Sequence, residues 1–298
     1  MSRTIRLAIL SILSCFVLAL PAVAAPVILP PAVFPYAVQY DDFFSYSAKL
    51  LDAWGLPGYD VTTGTGGLDV LIYTGAGGQN NLDTGAAPGF DFPDPLDAPG
   101  GGTSTFSGVW GPTNDPVGTG PILVNTLLNY LQATFGPQVN IPVFNFDMNQ
   151  TGSSAELDVV GEVRIRDAGN AVIASWAFDN LTNGVFDPTE WVLSPASITA
   201  TNPMPPFNTV TVDNNTGSGK LDFIVYAPTM NLSLYNAAGN TIEFDFRMQR
   251  LNNGPEELFL TGSFQPSPPS VPEPGTMALM GIGALGAAFM RRRNRKAS

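Results

Sequence analysis

The chemistry open to this chain is bounded first by what it lacks: its 298 residues include no histidine and a single cysteine, Cys15. Without an imidazole to shuttle protons or bind zinc, Ser-His-Asp and Cys-His catalysis, His-Glu-x-x-His zinc hydrolysis and three-His metal sites are all excluded. Carboxylate, lysine, tyrosine and bound-cation chemistry remain. Within residues 213–222, Asp213, Asn215 and Asp222 place oxygen ligands at close spacing, as a calcium loop would. The stretch departs from the EF-hand pattern at Ser218, where that loop needs glycine, and at Ile224, where it needs a bidentate glutamate. A plain hairpin turn accounts for the same residues. Glu256 and Glu257 are adjacent, so on a strand they point to opposite faces and make a poor acid/base pair for glycoside hydrolysis. Trp54, Trp110, Trp176 and Trp191 could stack on sugars, or could simply be core. No catalytic residue is assigned, and calcium is the one cofactor considered.

These residues must be positioned by a body whose pattern changes along the chain. Asp41 or Asp42 can cap a helix over residues 42–54, with Phe43, Phe44, Leu50, Leu51 and Trp54 on its apolar side and Gly55 as its stop. Residues 68–73 read as a strand between glycine clusters, and 103–110 as another. Residues 80–102 form a long loop rich in Pro, Gly and Asp. A second helix starts at Pro121, repeats Leu123, Leu127 and Leu131 on a face widened by Val124 and Leu128, and closes at Phe135 before Gly136-Pro137. From Asn140 the period becomes two. Nine segments, at 141–146, 155–166, 171–178, 191–200, 209–212, 221–226, 231–235, 241–251 and 257–264, read as strands. Charged and apolar residues alternate strictly in Glu162-Val-Arg-Ile-Arg166, so one face is buried and the other wet. Turn chemistry sits at 167–170, at Asn183-Gly184 and at Asn253-Gly254. The expected fold is mainly β: an antiparallel β-sandwich with two helices in the N-terminal half.

Both ends differ from this body. Arg3 and Arg6 precede an apolar run, and Ala22-Val-Ala24 supplies small residues for cleavage, so residues 1–24 read as a secretory signal peptide. Behind it lie a mixed α/β half over 25–138, the β-sandwich region over 139–265, and a Pro-rich stalk with its signature over 266–274. An uncharged apolar stretch follows at 275–290 and a basic cluster at 291–298. The apolar stretch is short for a hydrocarbon core of about 30 Å, a mismatch that snorkelling arginines and local thinning can absorb. It contains Gly281-Ile-Gly-Ala-Leu-Gly286, which matches the dinucleotide fingerprint in letters but lacks the strand-to-helix turn the fingerprint needs. Small residues there suit close packing of a transmembrane helix. With both ends set aside, six of the 13 basic and 24 of the 25 acidic residues remain, a formal charge of −18. Such a surface repels nucleic acid and attracts cations or basic partners.

Val271-Pro272-Glu273-Pro274, the apolar span and the stop at Arg291, Arg292, Arg293, Arg295 and Lys296 together resemble the PEP-CTERM sorting tail of Gram-negative bacteria. The resemblance covers about the last tenth of the chain and implies an address. It implies recognition by a membrane-embedded exosortase, a transient C-terminal anchor, passage through the inner membrane and delivery to the cell surface or beyond. Exopolysaccharide is a further partner by the same resemblance. The expected role is a structural or binding one at the surface or in the extracellular matrix, with a carboxylate-based carbohydrate-active enzyme as the alternative. Because such tails are also named after ice-binding proteins, Thr103 with Thr105, Thr199 with Thr201 and Thr209 with Thr211 are candidates for an ice-matching array. They lack a regular repeat and read as ordinary strand threonines.

Overall fold

The computed structural model describes residues 26–61, 68–73, 105–110, 123–148, 150, 156–214, 220–250 and 255–267. The expected signal peptide, the expected 80–102 loop and the tail from residue 268 lie outside them. Among the described residues no helix is long and apolar enough to cross a membrane. The chain divides into Met1–Pro266 and Ser267–Ser298, and every strand and helix described belongs to the first unit.

Mainly antiparallel strands run in the order β1 (Val27–Ile28), β2 (Val38–Tyr40), β3 (Phe43–Ser47), β4 (Leu68–Tyr73), β5 (Thr105–Trp110), β6 (Val143–Asp147), β7 (Leu157–Arg166) and β8 (Val172–Phe178). They continue with β9 (Val192–Ser194), β10 (Ser197–Thr201), β11 (Thr209–Asp213), β12 (Phe223–Tyr226), β13 (Thr241–Gln249), β14 (Pro255–Thr261) and β15 (Phe264–Gln265). Helix α1 (Ala48–Ala53) follows β3, and α2 (Val124–Phe135) follows β5. One sheet has the order β2-β3-β12-β6-β14-β4, and the other β5-β13-β7-β8 with β9 also on β7. Strands from the first and second halves of the chain thus mix in the six-stranded sheet, while in the other sheet β5 is the one first-half strand, at the edge beside β13. β10 and β11 form a separate antiparallel ribbon, and β1 runs parallel to β15.

The two large sheets face each other across a core of Phe144, Phe146, Val163, Ile165, Phe244 and Phe246 with their neighbours, and α2 contributes Val124, Leu127, Leu128 and Leu131 to it. Gly161 on β7 is required there, because a Cβ would stand 2.6 Å from the Phe246 ring. A second core covers the opposite face of the six-stranded sheet, where α1, the segment around Leu29 and the β10–β11 ribbon close over Tyr46, Ile224, Tyr226 and Phe259.

Four expected elements differ, one of them 257–264, which parts into β14 and β15. Residues 43–47 of the expected first helix are strand β3, paired with β2 and β12, and only Ala48–Ala53 is helical. Phe43 and Tyr46 go to different cores across one sheet, a requirement a single helical face cannot meet. The helix then starts at Ser47, whose hydroxyl accepts the Leu50 N–H at 3.2 Å. Residues 191–200 are split into β9 and β10 around Pro195, which has no N–H for a continuous ladder. Residues 231–235 hold a 3-10 turn, Leu232–Leu234, capped by the Asn231 side chain. The second helix holds from Val124 to Phe135, with Pro121 outside the described residues. The turn at 167–170 joins β7 to β8, Asp167 accepting the N–H groups of Gly169 and Ala171.

Candidate functional site

Where β2 and β9, outlying strands of the two sheets, and β10 come together, the sandwich opens into a cleft of about 540 Å³. Its floor is part of the main core: Phe146, Met148, Val159, Phe178, Phe223 and Val225. Its mouth carries apolar side chains that face solvent, with Phe34 84 %, Leu193 43 % and Val38 45 % exposed. The polar side chains of the lining are hydroxyls, among them Tyr40, Ser45, Ser47 and Ser194, and among the described residues no charged side chain lines the cleft. Tyr40 packs edge-on against Phe178 at 5.8 Å, and burial pushes its phenol above the usual range. An apolar floor rimmed by hydroxyls suits retention of an apolar molecule. The size falls within the roughly 300–1,000 Å³ of small-molecule sites.

Beside the cleft, the β10–β11 ribbon joins two of the threonine triplets. Thr199 pairs with Thr211 and Thr201 with Thr209 in register, and each pair of hydroxyls lies 2.8 Å apart. All four face solvent, while Ile198, Ala200, Val210 and Val212 pack against the second core. Thr199, Thr201 and Thr209 also line the cleft. Thr105 falls in β5, and Thr103 outside the described residues.

The expected calcium ligands do not share one environment. Asp213 is exposed at the end of β11, opposite Ser197, and Asn215 lies outside the described residues. Asp222 is fully buried: Lys49 Nζ stands 2.6 Å from its carboxylate and the Met148 N–H donates to it at 2.8 Å. Burial pushes the Asp222 carboxyl up to about 6, against the opposing pull of Lys49. Among the described residues, no group of three or more acidic, His or Cys side chains is arranged to hold a metal. Other buried carboxylates organise backbone: Asp41 accepts the Gly184 N–H, and Asp179 accepts those of Leu181 and Asp187. Glu256 and Glu257 occupy successive positions of β14. Trp54 and Trp176 are buried, the latter donating to Thr229 at 2.9 Å, and Trp191 is half-buried, so no exposed stacking platform links them.

The wet face of the five-stranded sheet is a lattice of ion pairs. Arg164 binds Glu162 and Glu243, Arg166 binds Glu243 at 2.9 Å, and Arg247 approaches Asp245 at 3.3 Å. Although burial pushes the Glu243 carboxyl up, the hydrogen bonds from Arg166 and Arg164 hold it below the usual range. Arg250 pairs with Glu156 and Asp158, and Lys220 with Asp60. With Lys49, all six basic residues of the body are matched to carboxylates within the fold. The sequence reading missed the cleft itself. The available signal was Val33-Phe-Pro-Tyr-Ala-Val38, an apolar run that fits neither a helical nor a strand period.

A family model described as a domain of unknown function (DUF8239) matches residues 27–210, a stretch containing every cleft-lining residue except Phe223 and Val225. A second, the PEP-CTERM protein-sorting motif, matches residues 270–294. It takes in Val271, Pro272, Glu273 and Pro274, the apolar span and the first three arginines of the stop. Such a motif implies export, recognition by an exosortase and sorting to the cell surface. Neither the curated proteins nor the solved structures provide a match.

Proposed function

The chain belongs to the DUF8239 family and ends in a PEP-CTERM sorting motif, and on that premise we propose that it is an exosortase-processed surface or matrix protein whose body binds rather than catalyses. The sorting motif at 270–294 carries this reading. In the proposed route, the signal peptide directs export, and the apolar span 275–290 holds the C-terminus in the membrane. The guanidinium groups of Arg291, Arg292, Arg293 and Arg295, with Lys296, resist passage through hydrocarbon and keep Pro272–Pro274 at the outer boundary, within reach of the exosortase. A chargeless cleft and basic residues already engaged in ion pairs support a binding role, with exopolysaccharide as the proposed partner at the surface.

Fractionation and C-terminal mass spectrometry of Glu273→Ala test the route. The variant should stay anchored and uncut, because the span and its stop are intact while the signature is not. Normal processing would refute recognition at Glu273. Incubating the exported protein with the producing cells' polysaccharide tests the role: co-sedimentation without chain shortening is expected, and release of oligosaccharides would replace binding with a carbohydrate-active enzyme.

A further inference from the structure

We propose that the cleft between β2, β9 and β10 takes a neutral single-chain amphiphile with a hydroxylated headgroup, its alkyl chain on Phe146, Phe178 and Val225 and its headgroup on Thr199, Thr201 and Thr209. This goes beyond the sorting assignment and does not depend on it.

The chain end follows from the wall. The floor is made of core side chains that a hydrocarbon would continue, and filling it releases water from apolar surface. Phe34, Val38 and Leu193 extend that surface to the outside, so the entrance is apolar as well. The neutrality follows from charge. A carboxylate or phosphate entering the cleft would lose hydration without meeting a cation, because none lines it and the six basic residues of the body are held in ion pairs. The formal charge of −18 further opposes anions. An ammonium headgroup is attracted by the overall charge but finds no carboxylate among the described residues of the lining.

The headgroup follows from the ribbon. Each threonine pair consumes one hydroxyl proton internally, which leaves one proton and several lone pairs per pair facing outward. Two such pairs side by side present alternating donors and acceptors at the spacing of a β-ribbon, a surface that matches a polyol better than a charged or purely apolar group.

The test uses the protein purified from the cells that make it, in whichever processed form they hold it. Four probes are titrated by calorimetry below their micelle concentrations: dodecyl maltoside, dodecanoate, dodecyltrimethylammonium and maltose. Saturable one-to-one binding of dodecyl maltoside is expected, at least tenfold tighter than either charged chain, with no heat from maltose. Ser45→Trp, which fills the cleft from β3, should abolish that binding with the circular dichroism spectrum retained. With dodecanol added as a fifth probe, Thr201→Val should weaken dodecyl maltoside severalfold and leave dodecanol unchanged. If Ser45→Trp does not fold, Leu193→Glu at the exposed mouth serves instead, with a tenfold loss expected. No saturable binding, equal affinity for a charged chain, or unchanged binding in the cleft-filling or mouth variant would overturn the proposal. Because none of these readouts involves the tail, their failure leaves the sorting route standing, and normal processing of Glu273→Ala leaves the cleft standing.

Discussion

The two faces of the six-stranded sheet solve the same burial problem with different chemistry. The inner face meets the second sheet through rings and aliphatic chains: Phe144 contacts Phe244 and Phe246 of β13 at centroid distances of 5.5 and 5.8 Å, and Phe43 of its own sheet at 6.1 Å. The outer face is covered by shorter pieces drawn from distant parts of the chain, and polar groups pin them down. Tyr46 donates to the Pro30 carbonyl at 3.0 Å and Tyr59 to that of Ile28 at 3.2 Å, tying the N-terminal segment to the sheet. Burial pushes the Tyr46 phenol well above its usual range and the Tyr59 phenol up to about 12, so both stay protonated donors. At the start of β12, Asp222 joins Lys49 of α1 to the Met148 amide. A sheet can bury another sheet by area alone, whereas small covering pieces bury too little each and need directional bonds to fix their places.

That contrast predicts a graded set of responses. Phe144→Ala should be the most damaging, losing about 3–5 kcal/mol in urea unfolding, since it opens a cavity among three rings. An equal loss from an outer-face hydroxyl deletion would erase the distinction. Next is a pH effect confined to the outer side. The Asp222 carboxyl, ordinarily at 3.8, is pushed up to about 6, so the folded state holds its proton more tightly than the unfolded chain between those values. Its contribution to stability is therefore greatest below about pH 4, falls as pH rises to about 6 and is level above. The stability of the wild type relative to Asp222→Asn should drop by on the order of 1–3 kcal/mol between pH 4 and pH 7. A slope of opposite sign in matched denaturant titrations would mean that the Lys49 pairing outweighs burial. Tyr46→Phe keeps the ring stacked on Tyr226 and removes the hydroxyl that donates to Pro30 and interacts with the Tyr226 phenol, costing about 1 kcal/mol by thermal or urea unfolding. Thr201→Val on the exposed ribbon should shift stability by no more than about 0.5 kcal/mol, and a larger fall would make the threonine pairs a structural clasp.

Particular residues show how far the sequence could be read. Glu162 to Arg166 and Thr241 to Met248 alternate without a break, and β7 and β13 lie side by side with the charged members forming one ion-pair lattice. The Leu127–Leu131 stripe of α2 is equally plain, because one face of a helix records one side of burial. Residues 42–54 are not legible in that way. Phe43 and Tyr46 serve two cores on opposite faces of a sheet that exists only when β12, 180 residues downstream, lies alongside. Their spacing passes for helical until the partner strand is in place.

Residue types and local periods decided, by themselves, which chemistries are closed to this protein, that its body is mainly β, and that its tail is an address. These depend on single side chains or on neighbours in sequence, so no fold is needed to express them. Tertiary structure decided which residues share a surroundings. It buried Asp222 against Lys49 while leaving Asp213 in solvent, brought Thr199 and Thr201 beside Thr209 and Thr211, and opened a chargeless cleft among segments from Phe34 to Val225. The cause is that strand pairing and sheet packing join residues far apart in sequence, and a cleft belongs to that joining rather than to any one of the strands that wall it.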